Sequence, residues 1–174
     1  MYLLSSEDER VSAVMPTAYH FAAMRQIDLS EVMAIEHVAY AFPWSLVQFE
    51  DALHNNNLGI CMRDIGGTLL GYCVLMPVVD EMHILNLCVA PPAQGLGMGH
   101  ALLNAAIQCT RTAKLPQLLL EVRSSNQRAL RLYQQFGFMV IGHRKGYYLA
   151  QHGTREDATV MRLTLSMESA DVST

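Results

Sequence analysis

The chain has 174 residues, 51% of them apolar and 16% charged, which is enough for one domain with a substantial core and too apolar for a disordered, solvating polymer. Its 12 Lys+Arg against 16 Asp+Glu give a formal charge of −4, so a general nucleic-acid binder is not expected, while a basic peptide substrate is tolerated. No apolar run reaches the ~18–20 residues of a membrane span, and residues 1–10 carry acids where a signal peptide has its basic region, so no membrane association and a cytoplasmic location are expected.

Residues 1–20 lack firm periodicity and read as an N-terminal extension, ahead of one domain over 21–165 and a polar tail over 166–174. Asp28 with Glu31 has capping-box spacing before apolar Val32, Ile35 and Val38, and Ser45 with Gln48 repeats it before Phe49 and Leu53. Ala41-Phe42-Pro43-Trp44 lies between these two short helices, and Asn55-Asn56-Asn57 stops the second. Strands are expected near 58–64 and 68–79, joined by a turn at Gly66-Gly67, and a third over 82–89 ends before Pro91-Pro92. A glycine-rich turn then opens a helix whose apolar face is Leu102, Ala105, Ala106, Cys109 and Ala113. Pro116 precedes a strand over 117–122. Ser125 or Asn126 caps another helix facing inward through Leu130, Tyr133 and Phe136, with Gly137 suited to the left-handed residue after it. Strands near 138–143 and 158–165 close the domain, the second with Val160, Met161, Leu163 and Leu165 as its apolar positions. The order predicts an α/β chain: a mixed sheet with helices on its faces. Cys61, Cys73, Cys88 and Cys109 show no C-x-x-C or Cys/His spacing; they read as small buried hydrophobes, no metal site is expected, and the histidines, His83 among them, are taken as structural.

The most informative segment runs from Leu87 to His100, where a strand leads into Gly95, Gly97 and Gly99 and a helix begins at once. Glycines at such a turn let successive N–H groups form an anion nest at the positive end of the helix, the natural place for a pyrophosphate. A P-loop is excluded because no Gly-Lys-Ser/Thr follows. A Rossmann fingerprint fails because His100 stands where its third glycine belongs. A turn that does nothing but start a helix is the bland alternative.

Gln94-x-x-Gly97-x-Gly99 also fits the pyrophosphate-binding Q/R-x-x-G-x-G/A motif, and here the chain resembles the GCN5-related N-acetyltransferase (GNAT) superfamily. The resemblance continues through Leu120-Glu121-Val122-Arg123-Ser124-Ser125-Asn126 and Leu132-Tyr133-Gln134-Gln135-Phe136-Gly137-Phe138. With Ala41-Phe42-Pro43-Trp44-Ser45, Tyr147-Tyr148 and Arg155-Glu156-Asp157-Ala158, it is similar to the bacterial RimI enzymes over roughly 25–163. The resemblance implies a mixed, mostly antiparallel sheet with splayed middle strands and helices on both faces. It implies acetyl-CoA as cosubstrate: the backbone of Leu87, Cys88 and Val89 on the pantetheine arm, Gln94, Gly95, Leu96, Gly97, Met98, Gly99 and His100 around the pyrophosphate, and Asn126 touching the arm. Some family members carry Arg at the positions of Gly95 and His100, so this chain leans more heavily on main-chain donors.

RimI enzymes acetylate a protein N-terminus, the N-terminal alanine of ribosomal protein S18, which is the partner the resemblance implies. An α-amino group with pKa near ~8 loses its proton far more readily than a lysine near ~10.4, so a modest base suffices. Glu121 matches that base, and Tyr133 matches the acid that protonates the departing sulfur. Taken as isolated residues, Glu121 is equally a partner for Arg123, and Tyr133 an ordinary helix residue packing the sheet. Asp80 and Glu81 either attract the incoming amine or are solvated turn acids, and Trp44 and Tyr147 are either groove walls or core. Gly146 and Leu149 depart from the Asn and Pro of RimI enzymes, which bears on peptide preference. The competing readings are an acetyltransferase for other N-termini or small amines, and a non-catalytic acetyl-CoA-binding module.

Overall fold

The computed structural model describes residues 18–55 and 57–166. The hairpin expected around Gly66-Gly67 is β2 (Leu58–Asp64) and β3 (Leu69–Val78), paired antiparallel, with Gly67 left-handed at φ 89°. Upstream of it lie β1 (Tyr19–Ala23), α1 (Leu29–Ala39) and α2 (Leu46–His54). Downstream follow β4 (Glu81–Val89), α3 (Met98–Thr112), β5 (Gln117–Arg123), α4 (Gln127–Gln135), β6 (Met139–Leu149) and β7 (Arg155–Thr164). The seven strands form one sheet in the order β1-β2-β3-β4-β5-β7-β6. Every neighbouring pair is antiparallel except β4 with β5, giving the mixed sheet with helices on both faces that was expected.

β3 runs through the middle of the core and is buried on both sides. Tyr72 and Val74 pack with Val32 and Phe49 of α1 and α2, while Cys73 and Leu75 pack with Leu102 and Ala106 of α3 and with Tyr133 of α4. Ser45 caps α2 as its spacing predicted: its hydroxyl accepts the Gln48 N–H at 3.3 Å, and Gln48 Oε1 accepts the Ser45 N–H at 2.8 Å. Asn126, rather than Ser125, caps α4 by accepting the Ala129 N–H at 3.1 Å, and Gly137 is left-handed at φ 88°.

Several local expectations need correction. Asp28 does not cap α1 through a box with Glu31; its carboxylate accepts the Arg25 N–H at 2.8 Å and pairs with Arg63 of β2 at 2.8 Å. The buried stripe of α1 is Leu29, Val32 and Glu36, whereas Val38 is 74% exposed. Tyr19 and His20, assigned to the extension, belong to the edge strand β1; all five of its residues are exposed, so no alternation marks it. β6 and β7 extend beyond the expected 138–143 and start before 158, because their extra residues are largely solvent-facing. Cys61, Cys73 and Cys88 are buried as expected, and Cys109 is half-buried. Residues 1–17 of the extension and 167–174 of the tail lie outside the described residues. Among the described residues, no helix is long and apolar enough to cross a membrane.

One irregularity shapes the functional end of the molecule. Between Val74↔Asn86 and Leu75↔Ile84 the β3–β4 register slips, leaving Leu85 as an extra residue on β4. Such a bulge bends its strand and turns over the faces beyond it. Met82 and Ile84 accordingly pack on the α3 side, whereas Leu85 and Cys88 pack on the α1 side. β4 pairs with β5 only at Met82–Ile84 opposite Leu118–Leu120. Past that point the two parallel strands separate, and a cleft of about 900 Å³ opens between them.

Candidate active site

At the mouth of the cleft, β4 ends in a single turn at Pro91–Ala93, followed by Gln94 and the glycines. Gly95 (φ 82°) and Gly97 (φ 78°) are left-handed, and Gly97 is the N-cap of α3. A Cβ on either would meet nothing within 4 Å, so it is the backbone conformation that calls for glycine there. Gln94 fastens the turn: its Nε2 donates to Val89 O at 3.1 Å and its Oε1 accepts from Arg128 Nη1 at 3.0 Å. His100 is bonded to Gln135 at 3.1 Å. Gln94, Gly95, Gly97, Gly99 and His100 line the cleft with Leu87, Cys88, Val89 and Asn126. Met98 is buried in the core with Leu96 packed against the same cluster, which leaves main-chain groups as what these two offer a ligand. Arg128 and Arg131 of α4 also line the cleft, placing cations at a turn that lacks the family arginines at 95 and 100.

Deeper in, β5 supplies the carboxylate. Leu118, Leu120 and Val122 point into the α3-side core, so alternation sends Glu121 and Arg123 to the other face. Glu121 follows Leu120, the last residue paired to β4, and therefore stands where the strands part. Its Oε1 pairs with Arg144 Nη1 at 2.9 Å and its main-chain oxygen accepts the Tyr148 hydroxyl at 3.1 Å. The Tyr147 phenol is pushed up chiefly by its hydrogen bond to Glu121, with burial adding. Arg123 is not the partner of Glu121. It donates to Leu149 O at 2.9 Å, pairs with Glu156 at 3.3 Å, and stacks over Tyr148 at 4.5 Å and Phe42 at 5.4 Å. Tyr133 faces the same cleft from α4, its ring 5.7 Å from that of Phe138. Burial, then its neighbours Cys73 and Tyr148, push its phenol well above the ordinary value, so it holds its proton at neutral pH.

Trp44 and Tyr147 line the cleft as wall residues, and Trp44 also packs on Phe49 at 5.1 Å. Asp80 and Glu81 lie at the opposite end of β4, where Glu81 is bonded to His83 at 2.5 Å. Sequence reasoning missed Glu36 and its partners. This carboxylate, 1% exposed, accepts the Trp44 N–H at 2.8 Å, the Tyr72 hydroxyl, and Asn86 Nδ2 at 3.3 Å. The available signal was an acid at i+7 from Leu29 and i+4 from Val32, on the apolar stripe itself.

Comparison with known proteins agrees with this geometry. Residues 24–138 match the acetyltransferase (GNAT) family. Over 146 residues the chain is 34% identical to ribosomal protein bS18-alanine N-acetyltransferase of Escherichia coli (strain K12), covering 84% of this chain and 97% of that protein. It is 35% identical over 142 residues to the Salmonella typhimurium protein of the same name, covering 80% and 93%. The crystal structure of the ribosomal-protein-S18-alanine N-acetyltransferase from Escherichia coli superposes with a TM-score of 0.81 at 32% identity, over 89% of this chain and 99% of that one.

Proposed function

The chain belongs to the acetyltransferase (GNAT) family, and from that premise we propose that it transfers the acetyl group of acetyl-CoA to the α-amino group of a protein N-terminus, namely the N-terminal alanine of ribosomal protein bS18. The observation that carries this reading is the parting of β4 and β5, with the glycine turn at one end of the cleft and both Glu121 and Tyr133 lining it. The residues fit the cosubstrate: an open left-handed glycine pair at the N-terminus of α3 suits a pyrophosphate, and the unpaired edge of β4 suits an extended amide-bearing arm. Leu87, Cys88 and Val89 would hold that arm, the turn from Gln94 to His100 with Arg128 the phosphates, and Asn126 the arm from the α4 side.

When bound, acetyl-CoA supplies the acetyl group as an activated thioester. Glu121 accepts the proton of the α-ammonium group, directly or through water; with an amine pKa near ~8 the proton leaves readily at neutral pH. Arg144 and Tyr147 fix the carboxylate's orientation. Tyr133 delivers its proton to the departing sulfur. A second cavity, of about 390 Å³ beside Arg123 and Glu156, favours an extended peptide over a small amine as acceptor.

The test is release of thiol from acetyl-CoA in the presence of a peptide copying the bS18 N-terminus. Peptide-dependent release with a mass gain of one acetyl group on the α-amine is expected. Binding of CoA without release would leave a non-catalytic module, and release only with an amine panel would make it a small-amine enzyme.

A further inference from the structure

Tyr40 ends α1 in an extended conformation (φ −123°, ψ 136°), with its N–H on Glu36 O at 3.0 Å. Its side chain crosses to β4, where the hydroxyl donates to Leu87 O at 2.9 Å. Leu87 lies beyond the bulge, on the length of β4 that has no pairing with β5, so the phenol occupies an acceptor beside the parted strands. The loop that follows is fixed as well: Trp44 N–H is bonded to Glu36, and Glu36 is held in turn by Tyr72 of β3 and Asn86 of β4. A ring tethered at both ends, on a loop anchored to a buried carboxylate, is a wall and not a lid. Tyr40 lines both cavities, the main cleft with Leu87, Glu121 and Tyr133, and the smaller one with Phe42 and Arg123. It therefore stands between the place of the chemistry and the space left for the rest of an acceptor chain.

We propose that Tyr40 is the specificity-determining residue for the acceptor's first side chain, its ring filling the space beside Leu87 so that only small first residues bring their amine to the thioester. The inference rests on the functional reading above and deepens it. Rejection by a rigid wall, unlike rejection by a missing contact, disappears when the wall is removed.

The experiment is a series of peptides identical except for the first residue (Gly, Ala, Ser, Val, Leu), assayed by thiol release with wild type, Tyr40→Phe and Tyr40→Ala. In wild type, kcat/KM falls at least about tenfold from Ala to Leu. Tyr40→Phe keeps that preference because the ring remains, and Tyr40→Ala brings the two peptides to within about threefold. A flat wild-type series overturns the inference even if Tyr40→Ala does not fold, and so does a Tyr40→Ala enzyme with the wild-type preference intact. Wild type inactive on every peptide fails the functional reading, and this inference with it; activity on the Ala peptide with an unmoved ratio fails this inference alone.

Discussion

Glu121 and Tyr133 differ in what their surroundings ask of them. Glu121, the proposed base, is a partly exposed carboxylate paired with Arg144 at 2.9 Å. Tyr133 is buried, and that burial keeps its phenol protonated past its ordinary value of 10.0. Glu121→Gln is expected to lower kcat by about 10²–10³ and leave the CoA dissociation constant, measured by calorimetry, unchanged. Tyr133→Phe lowers kcat in the same way. With the phenol pKa raised, the wild-type rate has no alkaline limb from this group below about pH 10; a fall in rate near pH 8–9 that vanishes in Tyr133→Phe would mean that burial does not hold the phenol protonated, whereas a Tyr133→Phe enzyme with the wild-type kcat refutes its role as acid. The Glu121, Asn126 and Tyr133 spacing was readable because all three lie on one β5–α4 unit. Arg144 was not, because it meets Glu121 only through the placement of β7 between β5 and β6.

Among the elements, β4 decides whether there is a cleft at all. Its apolar positions change phase between Ile84 and Leu85, from Met82 and Ile84 to Leu85, Leu87 and Val89, but a run with so few polar residues does not by itself distinguish a bulge from a strand buried on both faces; the slip in the β3–β4 register settles it. α2, α4 and the central hairpin were legible because caps, glycines and apolar periodicity agree there; the faces of α1 and α3 were read only in part, since Glu36 sits on the buried stripe of one and Leu103 and Ile107 widen that of the other, and β1 was not legible, since an exposed edge strand carries no such period. Gly71 tests how tightly the geometry is set. It faces Val89 across the ladder, and a Cβ there would lie 2.6 Å from Cys88 O and 2.8 Å from Leu102 Cδ1. Gly71→Ala must push β4 or α3 outward, at the stretch proposed to hold the arm of acetyl-CoA. A loss of about 1–3 kcal/mol in denaturant unfolding, together with weaker CoA binding, is expected. Gly67→Ala, left-handed in the distant hairpin turn with open space around it, costs about 1–2 kcal/mol of stability and leaves CoA affinity intact. Equal effects of the two on CoA binding would show that β3–β4 spacing does not govern the site.

Across the whole molecule, two carboxylates fasten parts of the chain that are far apart in sequence. Asp28, at the start of α1, is tied to Arg63 of β2, which also holds Glu31 at 2.5 Å; the helical layer is thereby clamped to the sheet. Glu156, at the start of β7, accepts the Ser125 N–H at 2.7 Å and pairs with Arg123, clamping the end of β5 to the β6–β7 hairpin. Burial pushes the Asp28 carboxyl up, but the Arg25 N–H and the Arg63 guanidinium outweigh it and hold it below its ordinary 3.8. Hydrogen bonds from Ser125, with Arg123 adding, hold Glu156 below its ordinary 4.5 against a smaller effect of burial. Both folded-state values are depressed, so the unfolded chain binds protons more readily. The stability these groups contribute is complete above the ordinary carboxylate range and is lost as pH falls through the lowered values. Denaturant midpoints are therefore expected to hold level from about pH 7 to 5 and to drop below that. Asp28→Asn should lose about 2 kcal/mol at pH 7, lie on a flatter curve, and converge with wild type at the acid end. Parallel curves for wild type and Asp28→Asn from pH 7 to 3 would mean that this carboxylate is no more acidic in the folded protein than in the unfolded chain, and that the clamp between α1 and β2 is not electrostatic.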